Sequence, residues 1–291
     1  MKGTLVSLGL QFLAVLIGIV MISAVPSMFM DGIHVSWPVY WKALSDIVHS
    51  LSHVGGMTYL KEGFINVAKY KVFPDYWGFY GYSVVIFTSA FLISIIVGLW
   101  ITYMTVMGSK RVIKVVKSIL SFLESIPDLL IIAFLQFIVI LFYQKTGVLL
   151  FNVAGAFDRT YFVPILTLAI LPSILFFRIF LLAVLDEEDL LYVELARSKG
   201  LAKSAIILKH IYRNAIITLC THLKSIFFIL LSNLVVVEYI FNIYGLTWYI
   251  MDHPQLDILA LSVTLFFLPV FAITSIIRLM AESLTGEKVV V

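Results

Sequence analysis

Asp186-Glu187-Glu188-Asp189-Leu190-Leu191-Tyr192-Val193-Glu194-Leu195-Ala196-Arg197-Ser198-Lys199-Gly200-Leu201 interrupts an otherwise apolar chain, and its reading decides how the rest is organised. Four consecutive acids complement the positive end of a helix dipole and cap its free backbone N–H groups. The residues that follow, 190–199, are helix-compatible and carry basic side chains in their last turn. Gly200 suits a left-handed residue just past a helix, and Leu201 suits the next position, which packs back on it. The stretch predicts a short helix, a sharp turn, and a second helix. That second helix begins near 202–204 and runs through Ile207, Leu208, His210 and Ile211 into an apolar segment. Two readings stand on the residues alone. One is an amphipathic surface hairpin. The other is a docking element, because Leu190, Leu191, Val193, Leu195 and Ala196 offer more apolar surface than a solvated linker needs.

The chain around this stretch has 291 residues, 62% hydrophobic and 13% charged, with a mean hydropathy of +1.06. Soluble domains have about 45–50% apolar and about 25% charged residues. So little charge cannot cover a water-soluble surface, which excludes a soluble enzyme, a secreted domain and a disordered chain. The expected class is an all-α polytopic membrane protein with six transmembrane helices, near 5–25, 81–104, 119–142, 162–185, 216–241 and 258–280. The first run follows Lys2 but is too long for a signal sequence, and Ser23-Ala24-Val25-Pro26 is a poor cleavage site, so an uncleaved helix is expected. The single cysteine, Cys220, excludes an intrachain disulfide and a multi-cysteine metal site. A net charge of +3 bears on membrane orientation rather than on nucleic acid.

Lys110, Arg111, Lys114 and Lys117 follow the second span, and Arg197, Lys199, Lys203, Lys209 and Arg213 follow the fourth; with Lys2, Arg278 and Lys288 they place twelve of the 20 basic residues on one side. That side, with both termini, is expected to be cytoplasmic. Residues 26–80 carry Trp37, Trp41 and Trp77 and predict short helices at the outer interface. The expected organisation is a first span plus outer segment, 1–80, followed by a five-helix core, 81–291, containing the polar link 186–215.

Ionisable groups inside spans are costly and mark function by default. Glu124 and Asp128, four apart on the expected third span with Pro127 between them, either line a passage near one interface or sit at headgroup level in ion pairs. Pro127 is expected to kink that helix. Arg178 is expected to snorkel to the interface. Asn233, deeper, is expected to bond to another helix. Glu238 is either an interfacial carboxylate or a hydrogen bond holding the loop that contains Gly245. Asp46, His49 and His53 would share one helix face, a weak metal-binding pattern for which no metal site is assigned. No phosphate-binding loop, H-E-x-x-H, C-x-x-C or G-x-S-x-G occurs, so neither ATP hydrolysis nor another enzymatic activity is expected of this chain.

The polar link resembles a known family. Glu194-Leu195-Ala196-x-x-x-Gly200 is similar to the E-A-A-x-x-x-G motif of membrane subunits of bacterial ABC importers. Ala196-Arg197-Ser198-Lys199-Gly200-Leu201 and Lys209-His210-Ile211-Tyr212-Arg213-Asn214-Ala215 resemble the peptide/nickel branch. Val235-Val236-Val237-Glu238-Tyr239-Ile240-Phe241-Asn242-Ile243-Tyr244-Gly245-Leu246 resembles that branch's "VVVETIFSxPGLG", and Ser125-Ile126-Pro127-Asp128 its "SIPxF". The motifs are collinear over about 80–280, and the single span plus long outer loop is similar to the oligopeptide/dipeptide permease B type. Leu195 departs from the motif's alanine, and the family's Gly-x-Gly after Tyr244 is missing.

The resemblance implies a type I ABC importer permease fold in a bacterial plasma membrane. It implies a passage shared with a second, homologous permease, two ATPase subunits that bind ATP and magnesium, and an extracellular solute-binding protein. Glu194, Leu195, Ala196, Lys199, Gly200, Leu201, His210 and Asn214 would couple to the ATPase, and Glu124, Pro127, Asp128, Asn233, Glu238 and Gly245 would serve gate or passage. This chain would carry no cofactor of its own and bind no nucleic acid, with lipid around it. A secondary transporter or channel, and a membrane scaffold, are the competing classes.

Overall fold

The computed structural model describes residues 2–29, 35–62, 67–147 and 159–285. Lys288 and part of the segment 26–80 lie outside the described residues. The chain is mostly helical, and six of its helices are long and apolar enough to span a bilayer. These are α1 (Lys2–Ala24, continued by a 3₁₀ turn to Phe29), α3 (Tyr76–Met107), α5 (Asp128–Thr146), α6 (Phe162–Glu188), α10 (Leu223–Ile240) and α12 (Leu256–Thr285). Between them lie α2 (Trp37–Ser52), the hairpin β1 (Thr58–Glu62) and β2 (Val67–Lys71), α4 (Lys110–Glu124), α7 (Leu191–Ser198), α8 (Lys203–Ile206), a π turn (Ile207–Ile211), α9 (Tyr212–Thr221) and α11 (Leu246–Asp252).

Three expectations need correction. The third span does not run from 119 to 142. Pro127 ends one helix rather than kinking it: it lacks the N–H needed to continue the ladder and restricts the residue before it. α4 therefore stops at Glu124, and α5 starts at Asp128 with Pro127 as its N-cap. Glu124 and Asp128 do not share a helix face. The expected fifth span is broken at His222, so only Leu223–Ile240 has spanning character. The segment 26–80, expected to hold short helices, also contains an antiparallel hairpin pairing Thr58 with Lys71 and Tyr59 with Tyr70.

The chain folds as two compact units, one of Met1–Val84 with Tyr244–Ser275 and one of Val85–Ile243 with Ile276–Val291. In the first, Tyr40 and Ile47 of α2 are buried with Ala24 and Ala260. Phe12 packs on Phe267 and Phe271. The Tyr80 hydroxyl donates to the Leu265 carbonyl at 3.0 Å. Tyr59 of the hairpin packs edge-on against His253 and Tyr249. The Ser83 hydroxyl oxygen accepts the Leu246 N–H at 2.7 Å, which fixes the start of α11.

In the second unit, α6 is the central element. Gly98 lets α3 approach it so closely that a Cβ there would lie 2.7 Å from Phe176 Cβ. Beside this contact Ser94 donates to the Ala169 carbonyl at 3.0 Å. Phe227 of α10 stacks on Phe91 with ring centroids 4.5 Å apart. Small residues and interhelical hydrogen bonds do the work here because lipid supplies no hydrophobic drive between helices.

Candidate functional site

The polar link folds as expected around Gly200 and differently at its start. Asp186, Glu187 and Glu188 do not open the short helix. They are the last residues of α6, with Asp189 its C-cap, and α7 begins at Leu191 with Glu194 in its first turn. Acids at the negative end of a helix dipole are unfavourable, and two of them are matched by side chains across the turn. Glu188 pairs with Arg197 at 2.8 Å. Glu187 accepts the Tyr192 hydroxyl and, at 3.2 Å, the Asn214 side-chain amide. Three helices, α6, α7 and α9, therefore meet at one carboxylate. Burial, and after it the bond to Glu187, push the Tyr192 hydroxyl from its ordinary 10.0 up to about 12.

Gly200 has φ +74, the left-handed conformation expected. Its N–H donates to Arg197 O at 3.0 Å, and the Leu201 N–H donates to Ala196 O at 3.4 Å. These two bonds form a Schellman motif. A Cβ on Gly200 would meet nothing within 4 Å, so the requirement for glycine is conformational and not steric. Lys203, the first residue of α8, then donates to the Val106 carbonyl at 2.6 Å, tying the return helix of the link to the end of α3. Tyr212 donates to Leu99 O at 2.9 Å.

The result is a short helix with two different faces. Val193 and Ala196 are buried, while Leu191 is 81% and Leu195 57% exposed. Glu194, Lys199 and Leu201 are exposed as well, as is His210 on the π turn. Asn214 is half-buried and faces Glu187 rather than outward.

The other predicted residues fall into separate places. Glu124 pairs with Arg178 of α6 at 2.9 Å, so Arg178 has a partner and does more than snorkel. Asp128, in the first turn of α5, accepts the amide of buried Asn233 at 3.2 Å, the helix-to-helix bond expected of Asn233. Glu238 is buried in the last turn of α10, and its backbone carbonyl accepts the Ile243 N–H at 2.8 Å. Gly245 is the buried N-cap of α11, in extended backbone at φ −96. His49 and His53 do come together, their rings stacked, although α2 ends at Ser52 and His53 is its C-cap. Among the described residues no three metal-ligating side chains converge.

A short helix held on a span end, followed by a left-handed glycine and a return helix, is the arrangement that the sequence motifs pointed to. Residues 90–284 match the family model described as "Binding-protein-dependent transport system inner membrane component". The chain belongs to this family. It is a permease component of an ABC transporter, a translocation subunit rather than an enzyme, and a multi-pass membrane protein. A 98-residue stretch is 35% identical to the glutathione transport system permease protein GsiC of Pectobacterium atrosepticum; the match covers 33% of this chain and 31% of that protein.

In this permease, the left-handed turn expected at Gly200 is present, whereas the meeting of Tyr192 and Asn214 at Glu187 was not foreseen from the sequence. The run of four acids was a visible signal. It pointed to the wrong helix end because α6 runs on past the apolar segment that marks its span.

Proposed function

We propose that this permease forms the passage of an ATP-driven importer of peptides together with a second, homologous permease. Two ATPase subunits, which bind ATP and magnesium, sit against the 186–215 side, taken as cytoplasmic with both termini. An extracellular solute-binding protein delivers substrate to the other side. The observation that carries the reading is α7 itself. It is anchored by Glu187, Glu188, Val193 and Ala196, yet leaves Leu191 and Leu195 uncovered. A helix held this rigidly and left apolar on its outer face is built to be gripped by a partner. Movement of that partner would pass through α7 to α6 and α9 at once, because all three meet at Glu187. Peptides are favoured as substrate because the permease branch resembled is peptide-transporting, and the relative matched over a third of the chain is named for glutathione, itself a short peptide.

Co-purification in mild detergent tests the ATPase coupling. Leu191→Asp with Leu195→Asp should release the ATPase and abolish transport while leaving the permease folded, since both side chains are exposed outside the spans. A chain that transports with no ATPase present would instead establish the secondary-transporter reading. Uptake of labelled glutathione and of longer peptides into vesicles containing the assembled system tests the substrate class.

A further inference from the structure

We infer that α4 is an interfacial helix that lies along the bilayer surface and binds anionic phospholipid headgroups. The inference does not depend on the transport reading.

At about 100° per residue, α4 divides into three arcs. Leu120 is buried, and Ile113, Val116 and Leu123 beside it are half-buried; this arc faces the protein. Next to it, Val112, Val115, Ile119 and Phe122 form an apolar arc that the protein leaves open, 43%, 53%, 52% and 66% exposed. The remaining arc carries Lys110, Arg111, Lys114, Lys117, Ser118 and Ser121. Among the described residues none of the four basic side chains forms an ion pair. A basic, strongly two-faced helix of low overall hydrophobicity is the composition that rests in the headgroup layer, apolar side down.

Its position fits. α5 has 19 residues, and at about 1.5 Å per residue it is barely as long as the hydrocarbon layer is thick, so its first residue, Asp128, lies at the bilayer surface. Only Ser125, Ile126 and Pro127 separate that residue from the end of α4, which keeps Ile119 and Phe122 close to the same surface. The ion pair between Glu124 and Arg178 supports this level, because Arg178 belongs to the spanning helix α6. The open apolar arc thus continues a lipid-facing surface, and the four cations above it stand at the depth of the phosphates. Each such cation favours an anionic leaflet, an attraction that salt screens.

The test uses the full chain in nanodiscs. In a Cys220→Ser background, a spin label is placed at Ile119→Cys on the apolar arc or at Ser118→Cys on the polar arc. Both positions are exposed, so neither label disturbs packing. The label at 119 should be relaxed more by oxygen than by an aqueous nickel chelate, and the label at 118 the reverse. If both labels respond to the chelate, the arc faces water; if 119 is shielded from both reagents, a protein covers it. Either result overturns the inference. In a second arm, spin-labelled phosphatidylglycerol should be immobilised in preference to spin-labelled phosphatidylcholine. That preference should fall by up to about fivefold for each of Lys114→Gln and Lys117→Gln, and should vanish at high salt. No preference in the unmodified chain would overturn the anionic-lipid assignment.

Discussion

Asn214 of α9 donates its side-chain amide to Glu187 of α6 at 3.2 Å, and the same carboxylate accepts Tyr192 of α7. Hydrogen bonds to a charged acceptor contribute about 1.5–3 kcal/mol when buried, and these half-buried ones should fall near or below the lower figure. Tyr192→Phe and Asn214→Leu should each lower thermal stability slightly. Combined with Glu187→Gln they should be non-additive, because all three share one site. The larger effect should be on coupling: ATP hydrolysed per substrate moved should rise in Glu187→Ala while ATPase association survives. Unchanged coupling in that variant would reduce Glu187 to a stabilising group.

The Tyr192 hydroxyl also predicts a pH dependence. Its proton is held more tightly in the folded chain, at about 12 against an ordinary 10.0. The folded state therefore retains a proton that the unfolded state releases, so this contribution is complete below about pH 10 and is lost as pH rises towards about 12. Thermal melts across that range should fall more steeply for the unmodified chain than for Tyr192→Phe.

Gly200 is left-handed with open space around it. Gly200→Ala should cost about 1–2 kcal/mol through the backbone alone. Gly200→Asn should cost less, since asparagine tolerates this conformation, and Gly200→Val should cost most. Transport should follow the order Gly, Asn, Ala, Val with the protein still in the membrane. Normal transport by Gly200→Val would remove the turn from the mechanism.

At Gly98 the constraint is steric. A methyl group there would strike Phe176 Cβ and crowd the Phe177 backbone nitrogen, 3.1 Å away. Neither atom belongs to the flexible end of a side chain, so Gly98→Ala should force α3 and α6 apart at a cost of about 1–3 kcal/mol. Gly81→Ala, at a position where a Cβ meets nothing within 4 Å, provides the control in the same melting experiment.

The ion pair between Arg178 and Glu124 should matter less. Arg178 is half exposed, and such pairs contribute about 0–1 kcal/mol. Exchanging the two charges, Arg178→Glu with Glu124→Arg, should leave expression near normal, whereas either single change should lower it. Equal loss in single and double variants would show that orientation, and not charge, is what counts here.

By itself the sequence determined the membrane class, the number of spans and the left-handed turn at Gly200. Each depends on local physics: the length of an apolar run against the bilayer, or the one residue type that reaches positive φ without penalty. Pro127 was equally local, but a proline only removes a bond; whether the chain bends or stops depends on what the next turn packs against. Tertiary structure alone decided that Glu187 meets Asn214, 27 residues away, that Asp128 meets Asn233, 105 residues away, and that α4 leaves an apolar arc uncovered. No periodicity encodes the two polar pairings, and the periodicity of α4 does not say which of its arcs the protein leaves open. A buried or half-buried polar group accepts whichever partner the packed helices bring within hydrogen-bond reach, and that choice exists only once the helices are packed.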